Sequence, residues 1–356
     1  MGGGVSRMNQ NASPVHIAVV GIGYWGPNLV RNFSNLPEVK IESVCDLDSR
    51  RLSNLASKYP DIKMTTHLEE ILDNPKIEAV VVATPAETHR TIVERALRAK
   101  KHVYVEKPLA VCASDAEFLV RLAEEFNRVL MVGHIFLYAP PVSQMIHLVQ
   151  QGAIGKIRYV HGIRTSMSGT ARVDTNILWD ALIHDAYILP ALFGRLPFRV
   201  LAVGGSYLNP GLEDVAFLTF DFGNGALAHI YVSWYALEKT RRLTVIGSEA
   251  ILEYNDLAPS KLVRYLRWYE QDAVKDPQGR PKWYWRDEGS EVIEISQEEP
   301  LQIECQHFIH CITNGTSPLT DGRAGLKAVQ ILEACEHSLR SGNVWVEIQN
   351  NKMDLF

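Results

Sequence analysis

The hexapeptide Gly21-Ile22-Gly23-Tyr24-Trp25-Gly26 follows directly on the apolar run Val15–Val20 and constrains this chain more than any other feature. Glycines spaced G-x-G-x-x-G are weak evidence alone, but here a short β-branched strand runs into them. A helix-like stretch, Pro27–Leu36, leaves them, and a second strand-like run, Lys40–Cys45, ends in Asp46, twenty positions past the last glycine. Each piece has a physical job in holding a dinucleotide. Gly21 permits the tight turn, Gly23 lets the backbone approach a pyrophosphate, and Gly26 lets helix and strand pack closely. The free N–H groups at the helix start then face the anion. Asp46 is placed to accept hydrogen bonds from an adenosine ribose. The competing reading, glycines that serve only a tight turn, explains neither the helix nor the acid.

The alternation continues. Strand-like segments Glu78–Ala83, His102–Val105 and Val129–Val132 are separated by helical patterns at Leu52–Tyr59, Leu68–Leu72, Thr88–Ala99 and Ala116–Phe126, with apolar residues at i, i+3 and i+4. Regular βαβ alternation implies right-handed crossovers and a doubly wound parallel sheet with helices on both faces. After His134 the rhythm changes. A helix at Pro141–Gln150 and a strand at Lys156–Arg164 precede a small-residue loop, Thr165–Thr175, expected to move, and an apolar helix, Ile177–Phe193. Long alternating strands follow at Phe198–Tyr207, Val215–Phe222, Ala226–Tyr235, Leu243–Ile246 and Lys261–Trp268, with the hairpin signal Asn224-Gly225 between two of them. Helices at Gln302–Thr313 and Ala324–Arg340 and a strand at Val344–Ile348 close the chain, and the polar stretch Gln271–Ser290 reads as a mobile insertion.

The expected organisation is a leader over residues 1–13, a Rossmann domain over 14–134, and a second α+β domain over 135–356 with a large open, mostly antiparallel sheet. A length of 356 residues suits two domains. The net charge of −5, with no basic block, argues against nucleic acid or an acidic membrane surface as partner. The start MGGGVS fits a myristoylation pattern, but a small and polar leader explains it as well. Five cysteines without C-x-x-C spacing indicate neither a disulfide framework nor a metal site, and the expected compartment is the cytoplasm.

Two further constellations carry chemistry. Glu106-Lys107-Pro108 ends a strand of the nucleotide domain, where ligands of an open parallel sheet sit, and presents a lysine toward the cofactor cleft. Asp180 and His184 stand at i and i+4 of the apolar helix, so that the carboxylate can orient the imidazole as a general base. A structural Asp–His pair is the alternative. Asp185, the next residue, reads as structural.

Taken together, GxGxxG, Thr84-Pro85 with His89 nearby, Glu106-Lys107-Pro108 and Asp180-x-x-x-His184 resemble the glucose-fructose oxidoreductase/inositol dehydrogenase (Gfo/Idh/MocA) family over roughly Val15 to Ile348. The resemblance implies NAD(H) or NADP(H) on the first domain and a sugar or polyol site on the second. Asp46 favours NAD, with NADP the less suited because of charge repulsion, although Arg50 and Arg51 lie close by. Lys107 and His184 would be catalytic, with Asp180 as orienting partner or substrate ligand. The cofactor set would be Gly21, Gly23, Tyr24, Trp25, Gly26, Asp46, Thr84, Pro85, His89, Glu106 and Lys107. A homodimer or homotetramer through the C-terminal sheet is also implied.

The strings around Gly23–Asn28 and Asn176–Asp180 are similar to those of nucleotide-sugar 3-dehydrogenases, which act on UDP-N-acetylglucosamine or its uronic acid. That implies oxidation of C3 to a keto sugar that feeds a 3-amino sugar. Arg164 and Arg172, with Arg158 behind them, would meet diphosphate or carboxylate, and Asn176 would join Lys107, Asp180 and His184 on the substrate. The alternatives are a dehydrogenase or ketoreductase of a free polyol such as an inositol, and a non-catalytic NAD-sensing protein.

Overall fold

The structure is a computed structural model that describes residues 13–167 and 174–348. Residues 1–12 of the expected leader, Arg172 and the middle of the Thr165–Thr175 loop lie outside the described residues.

The elements run β1 (Val15–Val20), α1 (Gly26–Ser34), β2 (Val39–Cys45), α2 (Ser49–Ala56), β3 (Lys63–Thr65), α3 (Glu69–Leu72), β4 (Ala79–Val82), α4 (Ala86–Arg98), β5 (His102–Glu106), α5 (Ala113–Glu125) and β6 (Leu130–Gly133). A 3-10 turn, Ile135–Leu137, leads to α6 (Pro140–Gln150) and β7 (Ile157–Met167). A π-helical turn, Leu178–Leu182, runs into α7 (Ile183–Phe193). Then come β8 (Arg199–Gly205), β9 (Val215–Asp221), β10 (Leu227–Ser233), β11 (Tyr235–Gly247), β12 (Ile251–Asn255), β13 (Leu262–Gln271), β14 (Trp283–Val292), α8 (Pro300–Asn314), α9 (Gly322–Arg340) and β15 (Val346–Glu347).

The described strands form two sheets. The first has the order β3-β2-β1-β4-β5-β6 with every pairing parallel. This is the doubly wound order in which ligands sit at the carboxyl ends where the strand sequence reverses, between β1 and β4. Its central strands are apolar on both faces, and Ile17, Val19, Val80, Val81, Val82, Val103 and Val105 are fully buried. The second sheet has the order β14-β13-β12-β11-β7-β10-β9-β8-β15 and is antiparallel except where β10 lies parallel to β7. Asn224 and Gly225 both have positive φ, 55° and 77°, in the hairpin between β9 and β10, as that dipeptide demands.

Two readings need correction. The stretch Gln271–Ser290 is irregular only over residues 272–282, because from Trp283 onward it is β14, which pairs with β13. Its charges mislead: cross-strand pairs such as Arg267–Asp287 and Arg286–Glu270 decorate a ribbon exposed along β14.

The chain also divides differently from a single cut at residue 134. One compact unit takes the described residues up to Leu109, Glu117–Gly133 and Leu301–Gly322; the other takes Ala110–Ala116, His134–Pro300 and the described residues from Arg323. Helix α8 therefore belongs to the Rossmann unit, although it lies far along the chain. Phe308 on α8 meets Tyr104 of β5 and Phe33 of α1 edge to face, with ring centroids 5.8 Å and 6.3 Å away. Thr320, just beyond α8, donates its hydroxyl to the Val132 carbonyl at 2.7 Å.

Candidate active site

In the Rossmann unit the glycines do three different things. Gly21 has φ of 90°, and a Cβ there would lie 2.7 Å from Ala83 and Thr84 at the end of β4. At Gly26 a Cβ would run into the Gly21 carbonyl, so α1 starts against the turn itself. Around Gly23 a Cβ would meet only Arg51 Nη1, at 3.7 Å, which leaves the backbone open to an approaching ligand. That arrangement fits a dinucleotide: two glycines compact the turn and the middle one faces open space. Tyr24 is 94% exposed beside it.

Asp46 stands at the end of β2 as expected, and the structure adds a second task. Its Oδ2 accepts the Ile22 N–H at 2.8 Å and its Oδ1 accepts the Asp48 N–H at 2.8 Å. The acid therefore fixes the glycine turn and keeps lone pairs for further donors. Arg51 Nη1 lies 3.8 Å from Oδ2, whereas Arg50 turns to Asp48.

At the ends of β4 and β5 two turns are tied together. His89 is 1% exposed, and its ring nitrogens lie 2.7 Å from the Pro108 carbonyl and 3.0 Å from the Thr84 carbonyl. The ring, expected on the cofactor, braces Glu106-Lys107-Pro108 against Thr84-Pro85. Burial holds its imidazole below the ordinary value despite those carbonyls. The Thr84 hydroxyl oxygen receives the Thr88 hydroxyl at 2.7 Å, and Pro85 starts α4. Glu106 accepts the Lys107 N–H at 3.3 Å and the Trp25 indole N–H. Burial pushes its carboxyl up to about 7 against the pull of the Lys107 ammonium. Trp25 thus contributes from the glycine loop by holding the strand-end carboxylate.

In the second unit, the helix expected from Ile177 opens with a π-helical turn, Leu178–Leu182, before α7 begins. Such turns widen the helical repeat, and they recur at functional sites. Asp180 lies within it and His184 just after it, so the α-helical i, i+4 stacking assumed from sequence does not hold over this stretch. The carboxylate Oδ2 of Asp180 accepts the Trp234 indole N–H at 3.1 Å. His184 Nδ1 lies 2.8 Å from the Tyr187 hydroxyl, which also accepts the Phe136 N–H at 3.3 Å. The Tyr187 ring also stacks on His134, with centroids 4.2 Å apart. Tyr187 is the partner that sequence reasoning missed. Its signal was there, a hydrogen-bonding aromatic at i+3 on a helix otherwise apolar.

Two of the expected substrate ligands, Arg164 and Asn176, already have protein partners. Arg164 donates to both oxygens of Asp185, at 3.1 Å and 3.3 Å, and its guanidinium lies over the Phe136 ring. The expectation that Asp185 is structural agrees with this pair. Asn176 is buried; its Oδ1 accepts the Leu178 and Trp179 N–H groups, and its Nδ2 donates to Glu336 at 2.8 Å. It caps the π-turn, a use of Asn that the backbone N–H groups of a helix start invite. Arg158 is exposed on β7, and Arg172 lies outside the described residues.

A doubly wound unit with an acid-terminated second strand, in a chain whose second unit carries a histidine at a π-opened helix and an open sheet, fits an NAD-binding oxidoreductase. Residues 15–134 match the oxidoreductase family, NAD-binding Rossmann fold, and residues 142–253 match the GFO/IDH/MocA C-terminal domain. The chain belongs to the GFO/IDH/MocA family of sugar and polyol oxidoreductases.

Among similar proteins, 2,7-anhydro-N-acetylneuraminate hydratase of Escherichia coli (strain K12) is 29% identical over 60% of each chain. UDP-N-acetylglucosamine 3-dehydrogenase of Acidithiobacillus ferrooxidans is 25% identical over 90% of this chain and 97% of its own. The solved structure of a levoglucosan dehydrogenase in complex with NADH and levoglucosan superposes with a TM-score of 0.80 at 20% identity, over 94% of this chain and all of that one. No described helix is long and apolar enough to cross a membrane.

Proposed function

We propose that this protein oxidises a secondary hydroxyl of a sugar with NAD, and that the sugar is UDP-N-acetylglucosamine or its uronic acid, attacked at C3. The observation that carries the reading is His184, set at the junction of the π-turn and α7 with Nδ1 on the Tyr187 hydroxyl. A ring fixed in this way exchanges its proton at the other nitrogen, and imidazole is the side chain suited to proton transfer near neutral pH. When bound, NAD supplies the nicotinamide carbon that takes up the hydride. His184 accepts the hydroxyl proton, Lys107 stabilises the developing alkoxide, and Tyr187 holds the imidazole at its angle. Asp180, braced by Trp234, binds a neighbouring hydroxyl. The substrate choice draws support from the similar 3-dehydrogenase and from the strings Gly-Tyr-Trp-Gly-Pro-Asn and Asn-Ile-Leu-Trp-Asp.

The test is formation of NADH by purified protein given UDP-N-acetylglucosamine, its uronic acid, free N-acetylglucosamine or myo-inositol. The nucleotide sugars should be turned over far better than the free sugar, because remote binding energy helps place the reacting carbon. Comparable rates on the free sugar or the polyol would replace the nucleotide-sugar reading. No turnover of any hydroxyl substrate, with NAD still bound, would favour a sensor.

The assembly belongs to the same proposal. One face of the second sheet carries a cross-strand row, Val203, Phe217 and Tyr231, in register across β8, β9 and β10. Phe217 and Tyr231 stack there with centroids 4.7 Å apart, and Tyr159 and Leu227 lie exposed alongside. A second copy of the chain is the partner we assign to this apolar face.

A further inference from the structure

Three polar groups, Glu106 and the buried Tyr104 and Glu304, meet behind the Glu106-Lys107-Pro108 turn. The Tyr104 hydroxyl lies 3.3 Å from Glu106 Oε1 and 3.0 Å from Glu304 Oε2. Tyr104 and Glu304 are both fully buried. Gly133 on β6 makes the approach possible: a Cβ there would lie 2.7 Å from the Tyr104 hydroxyl and 3.1 Å from Glu106 Oε1. A hydroxyl carries one proton, so it cannot donate to two carboxylates at once. Two ionised carboxylates around one phenol, away from water, would also repel each other strongly.

The surroundings say which carboxyl keeps its proton. Glu106 accepts the Lys107 N–H and the Trp25 indole N–H and lies in the field of the Lys107 ammonium. Among the described residues Glu304 touches no cation, and its Oε1 has no hydrogen-bond partner. Burial, reinforced by the neighbouring Glu106 charge, holds the Glu304 carboxyl well above the ordinary range. The other titratable groups facing the cluster are Tyr104 from β5 itself and Cys305 from α8.

We propose that Glu304 is a neutral carboxylic acid at pH 7 and a positioning residue for the NAD site. It donates to Tyr104, which donates to Glu106, which stays an acceptor for Trp25 of the glycine loop and for the Lys107 amide. The chain has a direction, from the proton on Glu304 Oε2 to the charge on Glu106. Its effect is to favour the ionised form of Glu106, since a hydrogen bond to a charged form stabilises that form. It thereby ties the glycine loop to the Glu106-Lys107-Pro108 turn, and it stands whatever sugar the enzyme takes.

The experiment follows NADH binding by quenching of protein fluorescence from about pH 5 to about pH 9, spanning the Glu106 value of about 7. NADH should bind more weakly as Glu106 gains its proton. Tyr104→Phe removes the donor to Glu106 and should move the midpoint upward by about one pH unit or more. Glu304→Gln can still donate to Tyr104 and should keep the wild-type midpoint. An unchanged midpoint in Tyr104→Phe overturns the link to Glu106. A downward move by about one unit or more in Glu304→Gln shows that a charge was removed, and overturns the neutral acid. Infrared spectra at about pH 8.5, above the Glu106 value of about 7, read the proton directly. The wild type should show a carboxylic-acid carbonyl band that Glu304→Gln lacks, and the same spectrum in both proteins refutes the assignment.

Discussion

The Tyr187 hydroxyl holds the His184 imidazole at 2.8 Å from three residues further along the chain, and it is itself held by the Phe136 N–H. Tyr187→Phe should therefore lower kcat by about tenfold and alter the pH dependence of the rate, because the ring keeps its place but loses its bonded nitrogen partner. His184→Ala and Lys107→Ala should each cost at least about a hundredfold in kcat. Steady-state rates with UDP-N-acetylglucosamine, beside NADH affinity, check this; near-normal turnover in His184→Ala would move the acid/base role elsewhere, with His134 and Tyr138 next to examine.

Asp46 predicts a preference for NAD over NADP. A 2′-phosphate beside a carboxylate that already anchors Ile22 and Asp48 would meet repulsion of a few kcal/mol, as an order of magnitude. Asp46→Ser should narrow the preference and also weaken NAD itself, since the turn loses an acceptor. Kd values for both cofactors decide the matter; equal affinity of the wild type for NADP would assign Arg51 the dominant part.

Breaking the Arg164–Asp185 pair should show up in stability. Arg164→Ala leaves a buried carboxylate unpaired and should cost about 3–5 kcal/mol, whereas Arg164→Met with Asp185→Leu should cost much less. Chemical denaturation measures both. A stable Arg164→Ala protein with a raised KM would restore this arginine to the substrate site.

The raised carboxyl of Glu106 makes a signed prediction about pH. A group whose folded value exceeds its unfolded value contributes stability that is fully present below the ordinary carboxyl range and is lost as pH rises to its folded value, here about 7. Wild type should lose roughly 3 kcal/mol relative to Glu106→Gln between about pH 4.5 and pH 7. Thermal denaturation of the two proteins across that range gives the difference directly, and a flat difference would place the charge elsewhere.

Phe217→Glu puts a charge in the middle of the apolar row on the second sheet. It should convert an assembly into single chains in sedimentation while leaving the fold intact, because the position is exposed in the isolated chain. A wild type that already sediments as one chain would refute the assignment of a second copy to that face.

Much of this was legible in one dimension, for physical reasons. A G-x-G-x-x-G turn, regular βαβ alternation and an Asn-Gly hairpin are local codes, and each forced its element. The functions of Arg164, Asn176 and His89 were not legible. Each has the chemistry of a ligand-binding residue, and only the fold reveals that Asp185, the start of the π-turn and two carbonyls already occupy them. The π-turn hides for another reason: its sequence, Leu-Trp-Asp-Ala-Leu, carries the same apolar spacing as a regular helix. Tyr187 stayed unread because a tyrosine on an apolar helix looks like packing. Glu304 was missed because the reading assigned α8 to the wrong unit.

That misplacement has a consequence for how the chain is made. Synthesis runs from the first residue onward, so β1 through β6 leave the ribosome long before the segment that carries Phe308, Glu304 and Thr320. Until then Tyr104 and Phe33 lack the helix that covers them, and the hydrogen-bonding edge at Val132 lacks Thr320. A nascent chain stopped before residue 300 holds a complete glycine loop on a sheet that lacks its covering helix α8, so the nucleotide unit matures only after nearly all of the second unit has emerged. Cutting the gene at the Rossmann boundary should accordingly give an aggregation-prone fragment, whereas fusing residues 300–322 back onto it restores the missing wall.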